Sequence, residues 1–219
     1  MTASDSRPSA QARRKLIEAG IVLFGRKGLE GTSTREIAGA AGVNIAGIAY
    51  HFGGKDRLYL ACAEHIAKTV LSGVNEQLRG AKSGANSGGS SPAAALKSTL
   101  RGAAEFMLAR PEIADFARFV LREQMDPSPA FDVLYATFME PMHRRLCALW
   151  AQATGNEAES ERTKLKVFAL VAQIFVFRMA RAGALRRLGW QEIGAAEIAA
   201  IVTLLEESVD ALIAAERRP

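Results

Sequence analysis

Ser33-Thr34-Arg35-Glu36-Ile37-Ala38-Gly39-Ala40-Ala41-Gly42-Val43-Asn44-Ile45-Ala46-Gly47-Ile48-Ala49-Tyr50-His51-Phe52 is the stretch whose reading decides the fold. Ser33 and Glu36 stand at capping-box spacing. The serine hydroxyl can take the backbone N–H of Glu36, and the glutamate side chain can reach back to Ser33. The helix so started runs from Thr34 to Ala41, only two turns. Gly42 then offers a left-handed C-terminal position, and Asn44 can cap a second short helix over Ile45 to Phe52. Two short helices about a tight glycine turn make a helix-turn-helix, whose second member can enter the major groove of DNA.

Helices this short do not persist alone in water. Ile37, Ala41, Val43 and Ile48 supply the small apolar contacts that would hold them to neighbours. The face left over carries Thr34, Arg35, Asn44, Ala46, Gly47, Tyr50, His51 and, just beyond, Lys55. Ala46 and Gly47 are too small to block a close approach to base edges, while the hydroxyl, amide, imidazole and ammonium groups can donate to phosphates. The competing reading is a packed helical hairpin in an enzyme or adaptor.

Working outward, the charge is uneven. Residues 1–80 carry 11 Lys and Arg against 7 Asp and Glu, whereas residues 81–219 carry 17 against 16. The surplus lies in the first third, as on a polyanion-binding head joined to a near-neutral body. Alternating β-branched runs are absent, and apolar residues recur at three and four spacings, so the expected fold is all-α with about nine helices. Leu16, Ile17, Gly20, Leu23 and Phe24 mark a first helix that ends at Gly28. A long helix runs from about Lys55 to Leu78, and Gly80 to Ser91 reads as a flexible loop. Ser91-Pro92 and Ser128-Pro129 are cap-then-proline helix starts, and Pro111 opens the helix between them, to about Met125. The helix after Pro129 holds Pro141 and should kink or divide there before stopping at Gly155.

Phe24-Gly25-Arg26-Lys27-Gly28, Thr32-Ser33-Thr34-Arg35-Glu36-Ile37-Ala38, Ala41-Gly42-Val43 and Tyr50-His51-Phe52-Gly53-Gly54-Lys55 resemble the N-terminal domain of TetR-family transcriptional regulators over about residues 13–70. Asn44-Ile45-Ala46, Leu58-Tyr59-Leu60-Ala61-Cys62-Ala63 and the run from Ala117-Arg118-Phe119 to Pro129-Ala130-Phe131 resemble the CecR (CerR) type within it. The resemblance implies a DNA-binding domain over 1–54 and a ligand-binding and dimerisation domain over 55–219. It implies that Thr34, Arg35 and the segment from Asn44 through Ile45 to Lys55 face a double-stranded operator. Tyr50 and His51 would then grip phosphates, and Lys55 would touch the backbone. Ala49 departs from the aromatic residue common in the family, so a contact made there by other members is lost or replaced.

The same resemblance implies a homodimer built on the last two long helices, and most often a repressor released by a small-molecule effector. The stripes Val167, Leu170, Val171, Ile174 and Ile198, Ile201, Val202, Leu205, Val209 suit a dimer interface, with intrachain core as the alternative. Phe106, Phe116, Phe119, Phe138, Met139 and Met142, with Arg122 and His143 as polar groups, are the candidates for an effector pocket. Cys62 and Cys147 read as two reduced, buried thiols, consistent with a cytoplasmic protein. The chain opens without an apolar signal segment, and Val167–Phe177 is too short to span a bilayer, so no membrane is implied. With His51, His65 and His143 the only histidines, and with no nucleophile elbow or phosphate loop, neither an enzyme nor a cofactor is indicated. Cys62 and His65, three residues apart, are too few for a metal site.

Overall fold

The computed structural model describes residues 6–84, 91–110 and 112–216, and every regular element among them is helical. The elements are α1 (Ser6–Lys27), α2 (Thr34–Ala41), α3 (Ala46–Phe52), α4 (Lys55–Gly84), α5 (Pro92–Ala109), α6 (Ile113–Met125), α7 (Pro129–Leu134), α8 (Glu140–Thr154), α9 (Glu161–Met179), α10 (Arg181–Leu188) and α11 (Ala195–Glu216). A π turn, Tyr135–Met139, joins α7 to α8 without a break, so the described residues form ten continuous helices.

The expected punctuation is in use. Gly28, Gly42 and Gly155 are left-handed at helix ends, and Ser91 and Ser128 each accept a backbone N–H behind a proline. Three expectations shift. The long helix continues to Gly84, past the end expected at Leu78. The flexible loop expected from Gly80 therefore overlaps α4, and its remainder (residues 85–90) and Pro111 lie outside the described residues. The division expected at Pro141 falls just ahead of it, in the π turn. Proline lacks an N–H and its ring crowds the carbonyl four residues back, and the wider turn relieves both. Finally, α10 adds a helix to the expected nine. Arg181-Ala182-Gly183-Ala184-Leu185-Arg186-Arg187-Leu188 buries no side chain, so no apolar stripe announced it.

Packing divides the chain into two units. The first takes residues 1–69 and 114–138, the second residues 70–113 and 139–219. In the first, Leu16, Ile17, Ile21 and Phe24 of α1 are buried together with Ile37, Ile48, Leu58, Cys62 and Ile66. Phe24 meets the ring of Tyr59 edge-on at 4.9 Å, and Phe119 of α6 lies against Tyr59 at 4.6 Å. Gly25 lets α1 come close to α6, because a Cβ there would sit 3.3 Å from the Asp115 carbonyl oxygen and the Phe119 nitrogen.

The second unit is a helical bundle centred on Trp150, Leu100, Leu170, Leu205 and Val209, all at most 1% exposed. The residues expected at a dimer interface, Val167, Leu170, Ile174, Ile198, Ile201, Val202, Leu205 and Val209, belong to this interior, with Val171 partly buried against it. The stripe read from the sequence is therefore intrachain core. The outward face of α9 is a different one, with Leu165, Phe168, Val176 and Met179 exposed. No single helix among the described residues is long and apolar enough to cross a membrane.

Candidate nucleic-acid interface

The capping box forms as its spacing requires. Glu36 N–H donates to Ser33 Oγ at 3.2 Å, and Ser33 N–H donates to Glu36 Oε2 at 2.9 Å. Lys27, at the end of α1, donates to Glu36 Oε1 at 2.5 Å and so fastens α2 to α1. Thr32 is buried and donates to the Gly28 carbonyl at 2.7 Å, closing the linker between them. Gly42 (φ 62°) ends α2, and Val43 N–H returns to the Ala38 carbonyl at 3.0 Å. These contacts fix the angle at which α3 leaves the turn.

The Lys27 ammonium, followed by the N–H and hydroxyl of Ser33, holds the Glu36 carboxyl down at about 2 against an ordinary 4.5. A depressed carboxyl contributes stability above its ordinary value and loses it as pH falls through the lowered one. We expect the α2 tether to weaken between pH 4.5 and about 2, and Glu36→Gln to flatten that acid limb in helical circular dichroism. An unchanged limb in the variant would remove Glu36 from the acid transition.

Burial sorts the residues proposed to face DNA. Arg35, Asn44, Ile45, Ala46 and Tyr50 are exposed, and Thr34, His51 and Lys55 are half-buried. Tyr50, at 81%, stands out from the surface, and the His51 ring meets its edge at 4.9 Å. Two roles need revising, those of Gly47 and Lys55, while Asn44 caps as expected. Gly47 points inward: a Cβ there would lie 3.0 Å from Val43 Cγ1, with Leu16 Cδ1 at an ordinary 3.7 Å, so its smallness makes room for Val43 of the turn. Asn44 Oδ1 accepts the Ala46 N–H at 2.9 Å, which caps α3 and fixes the direction of the amide. Lys55 Nζ donates to the Leu29 carbonyl at 2.8 Å and anchors the α1–α2 linker as well as carrying charge. The sequence reading missed Arg13, whose guanidinium lies 5.1 Å over the Phe52 ring and brings another cation beside α3. Nothing in its local motif marks it.

The candidate effector residues are divided between the two units. In the first unit, Phe116 and Phe119 are buried, Phe138 is half-buried, and Arg122 donates to the Arg26 carbonyl at the end of α1. In the second, Phe106 is buried, while Met139, Met142 and His143 are half-buried. His143 lies on Phe168 at 4.1 Å, with Nε2 3.3 Å from the Lys164 carbonyl and Nδ1 3.6 Å from Cys147 Sγ. A carbonyl only accepts, so Nε2 carries the proton and Nδ1 faces the thiol. Arg122 and His143 are thus engaged within the chain. A surface groove of about 340 Å³ between α5 and α11 is lined by none of the candidates, but by Arg101, Glu105, Ala109, Ile198 and Val202 among others. The cysteines are both free and buried.

A buried carboxylate went unnoticed in the sequence. Glu123 of α6 is 2% exposed, accepts the Tyr59 hydroxyl at 2.5 Å on Oε1, and accepts Ser128 N–H and Oγ–H at 3.1 and 2.8 Å on Oε2. Burial, then this hydrogen bond, pushes the Tyr59 hydroxyl well above the usual tyrosine range.

This arrangement has known counterparts. Residues 92–216 match the family described as HTH-type transcriptional dual regulator CecR, C-terminal domain, and residues 16–62 match Bacterial regulatory proteins, tetR family. The HTH-type transcriptional dual regulator CecR of Shigella flexneri is 36% identical over 186 residues, 82% of this chain and 81% of that protein. The chain belongs to the TetR family, with a CecR-type C-terminal domain. It is a transcriptional regulator with a DNA-binding helix-turn-helix, and α2 and α3 are that motif. The regulatory protein RaaS of Mycobacterium tuberculosis shares 43% identity over 61 residues, only 28% of each chain. Among solved structures, a transcriptional regulator from Pseudomonas aeruginosa PAO1 superposes with a TM-score of 0.69 at 20% identity, covering 94% of this chain and 92% of its own. A TetR-like regulator from Rhodococcus sp. RHA1 gives 0.67 at 20%, covering 93% and 96%. At that identity the likeness concerns the fold alone.

Proposed function

We propose that this TetR-family chain binds a palindromic operator as a homodimer, represses from it, and is released by a small-molecule effector in the cytoplasm. Residues 1–54 are the reading head in this proposal and residues 55–219 the body. The observation that carries it is the outward face of α9. Leu165, Phe168, Val176 and Met179 recur at three- and four-residue multiples and are each at least half exposed, with Leu204 of α11 similarly exposed. An apolar strip of this kind on a folded chain is suited to a second copy of itself. A single seven-residue recognition helix reads few base pairs, whereas a twofold dimer reads two half-sites about 34–36 Å apart or a multiple of that.

Phe168→Asp should shift the dimer to monomer in sedimentation and weaken operator binding by roughly 30-fold or more, the scale of an interface hot spot. A wild-type chain that sediments as a monomer while binding its site tightly would overturn the dimer. The Shigella relative is named a dual regulator, so promoter activity should be read in both directions. An effector can release DNA only by binding more tightly to the dimer when it is off the operator. Equal operator affinity with and without a saturating compound therefore rejects that compound as the inducer.

A further inference from the structure

The outward face of α3 offers little hydrogen-bonding chemistry. Ile45, Ala46, Ala49 and Tyr50 form one exposed strip, while Ile48 and Phe52 are buried on the opposite side and Gly47 faces α1. Of the four, only tyrosine has a polar side-chain atom. Ile45 is 48% exposed, a branched apolar side chain on a motif that meets a polyanion.

Asn44 is the adjacent polar reader, and its geometry narrows what it can read. Bidentate recognition of adenine needs the amide oxygen for N6–H and the amide nitrogen for N7. Here the Ala46 N–H, at 2.9 Å, takes one lone pair of that oxygen and fixes the direction of the amide. Asn44 keeps its Nδ2 donors and one lone pair, in the orientation that the cap sets. The major-groove feature that an apolar strip can distinguish is the 5-methyl group of thymine, which no other base of DNA carries.

We infer that α3 reads thymine 5-methyl groups, with Ile45 as the specificity-determining side chain and Ala46 and Ala49 admitting the groove. The inference rests on the operator reading above and names the base chemistry of each half-site. Ala49 thereby acquires a function: a bulky ring at 49 would hold the strip away from the bases. Tyr50 stands at the margin of the strip, where its hydroxyl reaches a phosphate.

The test uses the full chain and a duplex selected from a random DNA pool. Each thymine in a half-site is replaced in turn by uracil, which keeps O4 and the pairing and loses only the methyl. One or two positions should lose affinity by about threefold to tenfold, as expected for unburying a methyl group. At one of those positions Ile45→Ala should bind the thymine and uracil duplexes equally. A flat uracil scan on the wild-type chain overturns the methyl reading, whatever the variant does. A scan that drops but is unchanged in Ile45→Ala overturns the assignment to Ile45. Recovery of no preferred duplex is a separate failure, which removes the operator reading and this inference with it.

Discussion

Gly73→Ala should destabilise the second unit by about 2 kcal/mol or more, the usual scale of overpacking a filled interior. Gly73 sits on α4, where a Cβ would lie only 1.9 Å from Phe106 Cε2, 2.4 Å from Cδ2 and 2.7 Å from Cζ. The ring has little room to yield, being 1% exposed with the Arg110 guanidinium 5.1 Å from its centroid. The helix must therefore move off α5, or the ring must leave its rotamer. Gly183→Ala is the control, since nothing lies within 4 Å of a Cβ there and alanine is the better helix former by about 1 kcal/mol. Urea midpoints of the two variants should move in opposite directions. A wild-type midpoint for Gly73→Ala would mean that α4 and α5 do not approach as described.

Glu123→Ala should cost more, about 3 to 4 kcal/mol, because it strands three donors at once and leaves a void. The Tyr59 hydroxyl and both Ser128 donors lose their acceptor inside the first unit. Tyr59→Phe removes only one of these bonds and should cost about 1 kcal/mol, with the Phe24 and Phe119 ring contacts kept. Glu123→Gln should fall between them, since its amide retains one accepting oxygen. The order Ala, Gln, Phe in urea titrations is the result that supports the network. Equal effects of Glu123→Ala and Tyr59→Phe would reduce it to a single hydrogen bond.

The fold was legible in the sequence wherever one local rule acts over a few residues. Ser33 with Glu36, Gly42 after Ala41, and serine before Pro92 and Pro129 each specify their own helix end without help from distant parts of the chain. The periodicity of Val167 to Ile174 and of Ile198 to Val209 was equally plain, but it identifies burial and not the partner. Core against α5 and α8 and core against a second subunit give the same stripe, so the outward strip on α9 emerged only with the fold. In the interface, the exposed and charged types were readable, whereas the roles of Gly47, Asn44 and Lys55 depended on direction. A small residue can clear space for DNA or for Val43, and an amide can read a base as well as cap its own helix. Glu123 was invisible for a related reason. Its partners lie 64 residues before it and five after, and an acidic residue on an amphipathic helix ordinarily belongs to the solvated face.

The first packing unit is discontinuous, and that bears on how such regulators can be recombined. Phe119, Glu123, Ala130 and Leu134 complete it from a stretch that begins at Ala114, well beyond Thr69. Exchanging DNA-reading specificities between two family members by a single crossover at residue 69 would join one protein's Gly25 and Tyr59 to another's α6. Successful hybrids need either a second graft over residues 114–138 or matched side chains at those contacts. Lineages that shuffled their heads freely would be expected to carry correlated changes at positions 25, 59, 119 and 123, a signature that sequence comparison across the family can look for directly.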